Sequence, residues 1–302
     1  MGVAINPMYN PTVLIPGFPA KFVFLWAHVF GLAVLVLTGL TPAARADQHP
    51  QPLWEISAMV GIGVLPTYPA ADQTRFEVLP LPYFTYRGEV IRSDDKGLLR
   101  GRFFKSEVME IDISLSGTFD VDSADNRARA GMPDLDWLGE IGPRLEFTLA
   151  QAGDVRIEFE LPVRGVFSTN FGSRFKYEGL IAVPELAYQH DDFLGSDGKF
   201  KIGVSAAFAN AELQSLFYGV PTAYATVTRP AYVAKSGYLG SKLQISASRR
   251  FGPRIRILSA LRFDFYKGAA NDKSPLFKDS STVTLGIAVI VSLWQSKIFV
   301  QN

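Results

Sequence analysis

A strict alternation of side-chain type runs through residues 54–64 and limits what this chain can fold into. The apolar side chains fall on one face of an extended strand, at Trp54, Ile56, Ala58, Val60, Ile62 and Val64. The other face has Glu55, Ser57, Met59, Gly61 and Gly63. A period of two residues predicts a β-strand. About ten residues in a tilted strand are also enough to cross a bilayer.

The same alternation recurs along the chain and predicts about twelve strands. They are Trp54–Val64, Phe76–Tyr86, Glu89–Arg92, Leu98–Lys105, Met109–Val121, Ile141–Leu149, Val155–Val166, Phe175–Tyr188, Phe200–Ala209, Tyr238–Ser248, Ile255–Tyr266 and Thr282–Leu293. Pro80 and Pro82 interrupt the second strand, and we expect a bulge or a bend there. No run after residue 46 is long and apolar enough for a transmembrane helix, as expected when only every second residue faces lipid.

The strongest alternation, in Val155–Val166, sets apolar residues against charges of both signs. In a soluble sandwich the charged face would meet solvent, whereas in a membrane barrel it would line the lumen and pair across it. Two arginines of the fourth strand alternate in the same way. The candidate lumen charges are therefore Arg100, Arg102, Arg156, Glu158, Glu160 and Arg164.

The lengths of the connections also alternate. The connections after the second, sixth, eighth and tenth predicted strands are short, and those after the fifth, ninth and eleventh are long. Outer-membrane barrels combine short periplasmic turns with long outer loops, whereas a soluble sandwich has no reason to sort its loops in this way. We therefore predict an all-β fold, a closed antiparallel transmembrane β-barrel of about twelve strands.

The N-terminal segment differs from the rest of the chain. An apolar run, Phe22–Leu40, follows Lys21 and precedes Ala44-Arg45-Ala46, a small-x-small cleavage pattern. Residues 1–46 are predicted to be a signal peptide cleaved after Ala46, and residues 47–302 the barrel; an uncleaved anchor helix is the alternative. Cleavage takes the formal charge from +1 to −1 because Lys21 and Arg45 are lost. The mature chain then has no basic excess that would indicate a nucleic-acid partner.

The sequence has no pattern typical of a catalytic or metal-binding site, and we expect neither an enzyme nor a cofactor. His49 and His190 are the histidines of the predicted mature chain, and neither accompanies a nucleophile motif. No group of residues has the spacing of a metal site. Loose binding of a divalent cation by Asp191, Asp192 and Asp197 is the alternative at that turn. A second group, Asp120, Asp122, Asp125 and Asn126, lacks the glycine and the closing glutamate of a calcium loop. We interpret it as an exposed acidic loop.

A basic cluster surrounds one predicted periplasmic turn. Its members are Arg249, Arg250, Arg254 and Arg256. A rim that meets anionic headgroups or solvent is the simpler interpretation. A docking patch for a periplasmic partner is the more specific one.

Several short motifs, taken in order, resemble one family. They are Gly61-Ile62-Gly63 with Pro66 and Tyr68, then Pro80-Leu81-Pro82, Tyr86-Arg87-Gly88, Tyr218-Gly219-Val220 and Lys267–Pro275. Together they are similar to the MipA/OmpV family of outer-membrane proteins, named for a protein that interacts with the murein transglycosylase MltA. The chain departs from that family at Leu293, where an aromatic residue usually closes the last strand, and at Lys267-Gly268-Ala269, where an aspartate is usual.

The resemblance implies a localisation and a role. The chain would lie in the outer membrane of a Gram-negative bacterium, in contact with outer-membrane lipid. It would act as a scaffold with a periplasmic murein transglycosylase and a peptidoglycan synthase as partners. The alternative function is a narrow channel for small solutes, with the lumen charges setting its selectivity.

Overall fold

The computed structural model of the chain describes residues 51–88, 91–94, 97–106, 108–172, 174–194 and 197–300. The predicted signal peptide, residues 1–46, and His49 lie outside these residues, and so do the side chains of residues 91–102. Across the described ranges, no helix combines the length and the apolarity that crossing a membrane would need.

The described chain is almost entirely strand. The strands are β1 (Gln51–Pro52), β2 (Trp54–Pro66), β3 (Thr74–Arg87), β4 (Ile91–Asp94), β5 (Gly97–Lys105), β6 (Met109–Thr118), β7 (Trp137–Ala152), β8 (Val155–Thr169), β9 (Phe175–Ala182), β10 (Glu185–Asp191), β11 (Lys199–Ala209), β12 (Gly237–Phe251), β13 (Ile255–Phe265), β14 (Ser281–Gln295) and β15 (Phe299–Val300). One α-helix, α1 (Ala211–Tyr218), and two single 3-10 turns, Ser123–Asp125 and Thr222–Tyr224, complete this part of the chain.

One antiparallel sheet contains β2 to β14, and consecutive strands are neighbours in it except for β9 and β10. The segments β9 and β10 form one strand interrupted at Val183-Pro184, because both pair with β8 and both pair with β11. Counted in this way, the sheet of the described residues has twelve strands, as predicted. Strand β14 pairs with β2, and β8 pairs with β7 and β10. A separate two-stranded sheet joins β1 to β15 near the two ends of the described chain.

The two faces of the sheet are inverted relative to a soluble protein. In β8, Glu158 and Glu160 are buried, while Ile157 and Val163 are 38% and 39% exposed. In β2, Glu55 and Ser57 are buried, while Val60 is 50% exposed. We call the buried, polar face the inner face. The predicted alternation is confirmed in β2 and β8, where the polar side is the side that is removed from the surface.

The long and short connections lie at opposite ends of the strands, as predicted. The long ones, residues 119–136, 210–236 and 266–280, lie at the same end of the strands as the β2–β3 connection, residues 67–73. The short ones include residues 153–154 and 252–254, at the end where β1 pairs with β15. We call these the loop end and the terminal end.

Two expectations require correction. Pro80 and Pro82 produce no bulge, since all residues of β3 pair with β2 in one uninterrupted register. The connection from Asn210 to Gly237 is not irregular throughout, because it contains α1, whose first turn Asn210 caps by accepting a hydrogen bond from the Leu213 backbone N–H. Strand boundaries otherwise differ by a few residues, most at β7, which begins at Trp137 rather than Ile141.

Candidate functional site

The inner face has a cluster of ion pairs centred on Arg144 of β7. The Arg144 guanidinium donates to both carboxylate oxygens of Asp112, at 3.0 and 2.5 Å, and to Glu160 Oε2 at 3.1 Å. Asp112 and Arg144 are direct neighbours in the β6–β7 ladder, which places the two side chains side by side. Arg144 and Asp112 are 3% and 1% exposed. This bidentate geometry is the strongest form of an arginine–carboxylate contact.

Further ion pairs extend the cluster across β8, β10 and β11. Lys201 Nζ lies 3.1 Å from Glu160 and 2.7 Å from Glu185. On the terminal side, Arg156 lies 3.0 Å from Glu158 and 2.8 Å from Asp191. The inner face therefore has a connected network of opposite charges from β6 to β11.

Arg164 forms a separate ion pair on the inner face, nearer the loop end. Its side chain donates to Ser114 Oγ at 2.8 Å and to Glu140 Oε2 at 3.2 Å. Four candidate lumen charges thus lie on the inner face of β8, namely Arg156, Glu158, Glu160 and Arg164. The other two, Arg100 and Arg102, belong to β5, and their side chains lie outside the described residues.

Three carboxylates of the network are close enough to share a cation. Ligand oxygens of Glu146, Glu158 and Glu160 lie within 4.8 Å of one another. Protein cations are already close to this group, since Arg144 contacts Glu160 at 3.1 Å and Glu146 at 3.8 Å. The geometry is therefore that of a charge-balanced network, and we assign no metal to it.

The network includes residues that sequence reasoning did not select. Arg144, Glu146 and Asp112 stand on the polar face of their predicted strands, but nothing in the sequence pairs them. Their partnership depends on the register across residues 119–136, a long connection whose length sets no register. The alternation in each strand could have marked them as inner-face residues only.

The four arginines near the turn of residues 252–254 divide into three environments. Arg250 and Arg256 converge on Asp197, at 3.2 and 2.6 Å from its Oδ2. Arg249 is 5% exposed, with its guanidinium 5.8 Å from the centre of the Phe251 ring. Arg254 is exposed and borders a crevice with Trp294.

The long loops pack on one another at the loop end, and we call this assembly the loop cap, residues 67–73, 119–136, 210–236 and 266–280. Its apolar side chains form two buried clusters. One contains Tyr68, Ala71, Val121, Met132, Leu135, Val220 and Leu276. The other contains Ala70, Tyr218, Ala234 and Tyr266, together with Leu239 of β12. A third joins Leu213 of α1 to Leu138, Val166 and Ala209 of the strands. The ordinary hydrophobic core of this protein therefore lies in its loops.

Long-range hydrogen bonds fix the loop cap. Tyr68 Oη donates to the Leu276 carbonyl at 2.7 Å, and Tyr218 Oη donates to the Pro69 carbonyl at 3.2 Å. Ser274 Oγ donates to the Tyr218 carbonyl at 2.7 Å. Three separate loops are joined by these bonds.

Asn271 is fully buried at the centre of the loop cap and uses its whole hydrogen-bonding capacity. Its Nδ2 donates to Gln214 Oε1 at 2.5 Å and to the Lys235 carbonyl at 2.9 Å. Its Oδ1 accepts from the Lys235 N–H at 2.9 Å and the Tyr232 hydroxyl at 3.1 Å. An amide has two donors and two acceptor sites, and here all four are satisfied.

Burial perturbs the ionisable groups of the loop cap. Burial raises the pKa of the Tyr68 phenol and of the Tyr218 phenol. Burial also lowers the pKa of Arg129 to about 10. Arg129 donates to the Leu216 and Pro133 carbonyls, at 3.2 and 3.1 Å. This buried arginine therefore joins residues 119–136 to α1.

The remaining sequence candidates have structural partners. His190 lies on β10, with its ring 5.4 Å from that of Phe193. In the acidic group, Asp120, Asp122 and Asp125 are exposed as predicted. Asn126 is fully buried, which corrects the expectation of an exposed loop: its Oδ1 accepts from the Ala128 and Arg129 N–H groups and its Nδ2 donates to Thr67.

An antiparallel sheet that exposes apolar side chains and buries charges is the pattern of an outer-membrane β-barrel protein. The family model of the MltA-interacting protein MipA matches residues 59–292. The chain belongs to the MipA family, and its localisation is the outer membrane. Of the motifs on which the sequence resemblance rested, Tyr68, Tyr218-Gly219-Val220 and Lys267–Pro275 lie in the loop cap, and the others lie in or beside β2 and β3.

Comparison with solved structures gives distant likenesses. A NanC porin is 7% identical, over 79% of this chain and 100% of that chain, with a TM-score of 0.37. An outer membrane channel from Pseudomonas putida F1 is 9% identical, over 84% and 100%, with a TM-score of 0.41. The outer membrane protein OmpT of Vibrio cholerae is 7% identical, over 80% and 100%, with a TM-score of 0.34. Comparison with curated protein sequences gives no match.

Proposed function

We propose that the chain is a closed outer-membrane barrel that acts as a scaffold for a periplasmic murein transglycosylase. Closure is supported by the pairings, because the series from β10 through β11 to β14 and from β2 to β8 returns to β10. An open edge in lipid would leave backbone groups without partners, at several kcal/mol each. A cleaved signal peptide, residues 1–46, would deliver the chain to the periplasm.

The orientation follows from the two ends of the strands. Outer-membrane barrels place short turns in the periplasm and long loops outside the cell. The terminal end, with its short turns, would face the periplasm, and the loop cap would face outwards. A periplasmic enzyme would then meet the terminal end.

The observation that favours a scaffold over a channel is the filling of the inner face. The Arg144 network extends over β6 to β11, and the loop cap packs into three buried clusters at the loop end. Twelve strands can enclose an interior that side chains fill. Such a barrel would be a poor path for solutes and would act through its surfaces.

The terminal end offers exposed groups for a partner. Arg254 is exposed beside Trp294, which is 63% exposed at the end of β14. Ile298 and Phe299 are 64% and 52% exposed on the segment that pairs with β1. Arginine and aromatic side chains are enriched in protein interfaces. Arg254 is the basic-cluster residue best placed for docking, because Arg250 and Arg256 are bound to Asp197.

The test is capture of a purified murein transglycosylase by the refolded chain. Wild type should retain the enzyme, and Arg254→Glu should weaken retention. Arg127→Glu is the matched control, because Arg127 has a 78% exposed side chain in the loop cap, at the opposite end. Equal retention by wild type and Arg254→Glu would contradict docking at the terminal end, and no retention by any variant would contradict the scaffold. A peptidoglycan synthase is the further partner to add to the same assay.

The channel is the alternative, and the charged inner face is the feature that favours it. Planar-bilayer recordings separate the two functions. A scaffold should give no steps in current at moderate voltage. Stable, ion-selective current steps whose size changes in Arg164→Ala would establish a channel.

A further inference from the structure

Strand β14 extends beyond one of its two neighbours at the terminal end. The β13–β14 ladder ends at the pair of Ile255 and Val291. It ends there because residues 252–254, all of them described, turn the chain back into β12. Residues 293–295 of β14 therefore have β2 as their only described neighbour strand. Their other edge, which we call the open edge, faces the turn.

The backbone of Gln295 points towards the open edge. On the β13 side of β14, the Ser292 N–H donates to the Arg254 carbonyl at 2.8 Å. On the β2 side, the Ser296 N–H donates to the Trp54 carbonyl at 2.8 Å. Consecutive residues of an antiparallel strand direct their backbone groups to opposite edges. The N–H and the carbonyl of Gln295, which precedes Ser296, therefore point away from β2.

A crevice of about 240 Å³ lies along the open edge. It is lined by Pro253, Arg254, Ser292, Leu293, Trp294 and Gln295. The β14–β2 register shifts between Ser292 and Trp294, so that Leu293 is an extra residue of the strand. Such bulges occur at sheet edges, where they redirect side chains. Leu293 and Trp294 are 46% and 63% exposed. The open edge thus offers backbone hydrogen-bonding groups beside apolar side chains that the described chain leaves uncovered.

The exposed charges beside the crevice are positive. Arg254 lines the crevice, Lys297 lies just beyond Gln295, and both are exposed. Glu55 is the neighbour of Gln295 in the ladder, but it is buried and lies 2.7 Å from Arg87. Its charge is therefore already balanced, and the open edge is complementary to an acidic partner.

We propose that the open edge of β14 binds an extended, acidic segment of the periplasmic partner as an added β-strand. In this mode of recognition, main-chain hydrogen bonds provide affinity and alternate side chains provide specificity. The main chain of the segment bonds Gln295, its apolar side chains pack on Leu293 and Trp294, and its carboxylates pair with Arg254 and Lys297. A second copy of this chain is disfavoured, because two open edges would bring like charges together. The proposal rests on the proposed function for the periplasmic orientation and names the way in which the partner docks.

The test uses a short, dye-labelled peptide of alternating glutamate and valine with blocked ends. It is titrated into the full refolded chain in a zwitterionic detergent, and fluorescence anisotropy measures binding. We expect this peptide to bind and to protect the Gln295 amide from hydrogen exchange. A lysine–valine peptide of the same length should not bind. The glutamate–valine peptide with alternate amides N-methylated should bind about tenfold more weakly, because it loses hydrogen bonds to the edge.

Variants of the chain test the same contacts from the other side. Gln295→Pro removes the N–H that faces the crevice and should weaken binding about tenfold. Gln295→Ala is the matched control, because it keeps that N–H and should bind as wild type does. Arg254→Glu should also weaken binding of the acidic peptide, whereas Arg127→Glu in the loop cap should not. If Gln295→Pro does not fold, the N-methylated peptide tests the same hydrogen bonds.

Failure of the glutamate–valine peptide to bind would overturn the proposal, and so would equal binding by the folded Gln295→Pro and Gln295→Ala variants. Dimers of the wild-type chain that disappear in Gln295→Pro would identify a second copy as the occupant and overturn it as well. Capture of a murein transglycosylase, measured on the same preparations, reports the scaffold separately. Capture that persists in folded Gln295→Pro would overturn strand addition alone, and peptide binding without any capture would overturn the scaffold alone.

Discussion

The loop cap and the strand wall follow opposite rules of burial. In the loop cap, Leu213 and Leu276 are 2% and 0% exposed, as in any soluble core. In the wall, Phe76 is 64% exposed while Glu158 is 2% exposed. Water surrounds the first region and lipid the second, and each region removes from its surroundings the groups that those surroundings solvate poorly. One chain thus has two cores, one apolar and one ionic.

The comparison also explains where the family motifs lie. An outward wall residue needs only to be apolar, so many residue types are suitable at such a position. Asn271 satisfies four hydrogen bonds at once, and Tyr68 joins two loops. We infer that the motif residues of the long loops define the loop cap, while the remaining motifs belong to β2 and β3.

The largest effect is expected from the ionic core. Arg144→Ala removes the guanidinium that donates to both carboxylate oxygens of buried Asp112 and to Glu160. Removal of one partner of a buried pair costs about 3–5 kcal/mol. Urea unfolding in detergent or vesicles measures this loss. Arg174→Ala is the control, because the Arg174 side chain is 65% exposed and lies 3.5 Å from Asp136; about 0–1 kcal/mol is expected there. Equal losses in the two variants would show that the network contributes little.

The apolar core of the loop cap comes next. Leu276→Ala should destabilise by about 2–5 kcal/mol, because the side chain is fully buried and leaves a cavity. Leu186→Ala removes the same atoms from a side chain that is 51% exposed on β10, and should cost much less. Proteolysis within residues 210–236 should accelerate only in Leu276→Ala. A larger loss of stability in Leu186→Ala than in Leu276→Ala would contradict the assignment of the apolar core to the loop cap.

A third prediction tests the lipid-facing side of the wall. Val60→Arg puts a charge on an exposed position in the middle of β2, and the expected cost is about 2–4 kcal/mol in a bilayer. Ser116→Arg adds the same group on the inner face, where Glu140 is its neighbour in the ladder, and should change stability little. If the chain folded in water, the two variants should not differ in their free energy of unfolding. The pair of variants therefore tests whether Val60 faces lipid.

The smallest effect is expected from pH. Burial raises the pKa of Tyr266 to about 12 and raises that of the Tyr68 and Tyr218 phenols. A raised pKa means that the folded state holds the proton more tightly, so this stability is complete below about pH 10, the ordinary tyrosine value, and is lost as pH rises through the folded pKa. Arg129, with its pKa lowered to about 10, opposes the loss, but three phenols outnumber it.

Hydrogen exchange in the loop cap measures this dependence. Protection of the cap amides should be constant up to about pH 10 and fall as the pH rises from about 10 towards 12, by more than the intrinsic exchange rate explains, while wall amides keep theirs. Tyr266→Phe should reduce the loss. Protection that stays constant would contradict a contribution from the buried phenols.

Much of the wall could be predicted from the sequence, because strand alternation is a local signal. In residues 155–166 the sequence separates an apolar face from a charged face, and the structure places Glu158 and Glu160 of the charged face in the buried interior. The partners could not be predicted, since the Asp112–Arg144 pair depends on register across a long loop. The loop cap was missed for the same reason. Only Asn210 followed by Ala211-Glu212-Leu213 offered a local sign of α1.

The prolines of β3 show how a local signal can be correct while its interpretation is wrong. Pro80 and Pro82 lack a backbone N–H and therefore indicate missing hydrogen bonds in the ladder. The sequence predicted a bulge or a bend there. The structure keeps the β2–β3 register unbroken, and the described pairs of β3 with β4 are at Tyr86 and Arg87. Which hydrogen bonds a proline removes depends on the neighbours of its strand and not on the strand itself.

Electrophoresis of outer-membrane fractions, with and without boiling, tests the central claim most directly. A closed barrel with an ionic core should stay folded in detergent, migrate faster unboiled, and shift to its full apparent mass on boiling. N-terminal sequencing of that band should begin at Asp47. A band that ignores heating, or one that retains Phe22–Leu40, would contradict the barrel and indicate an anchored β-domain instead.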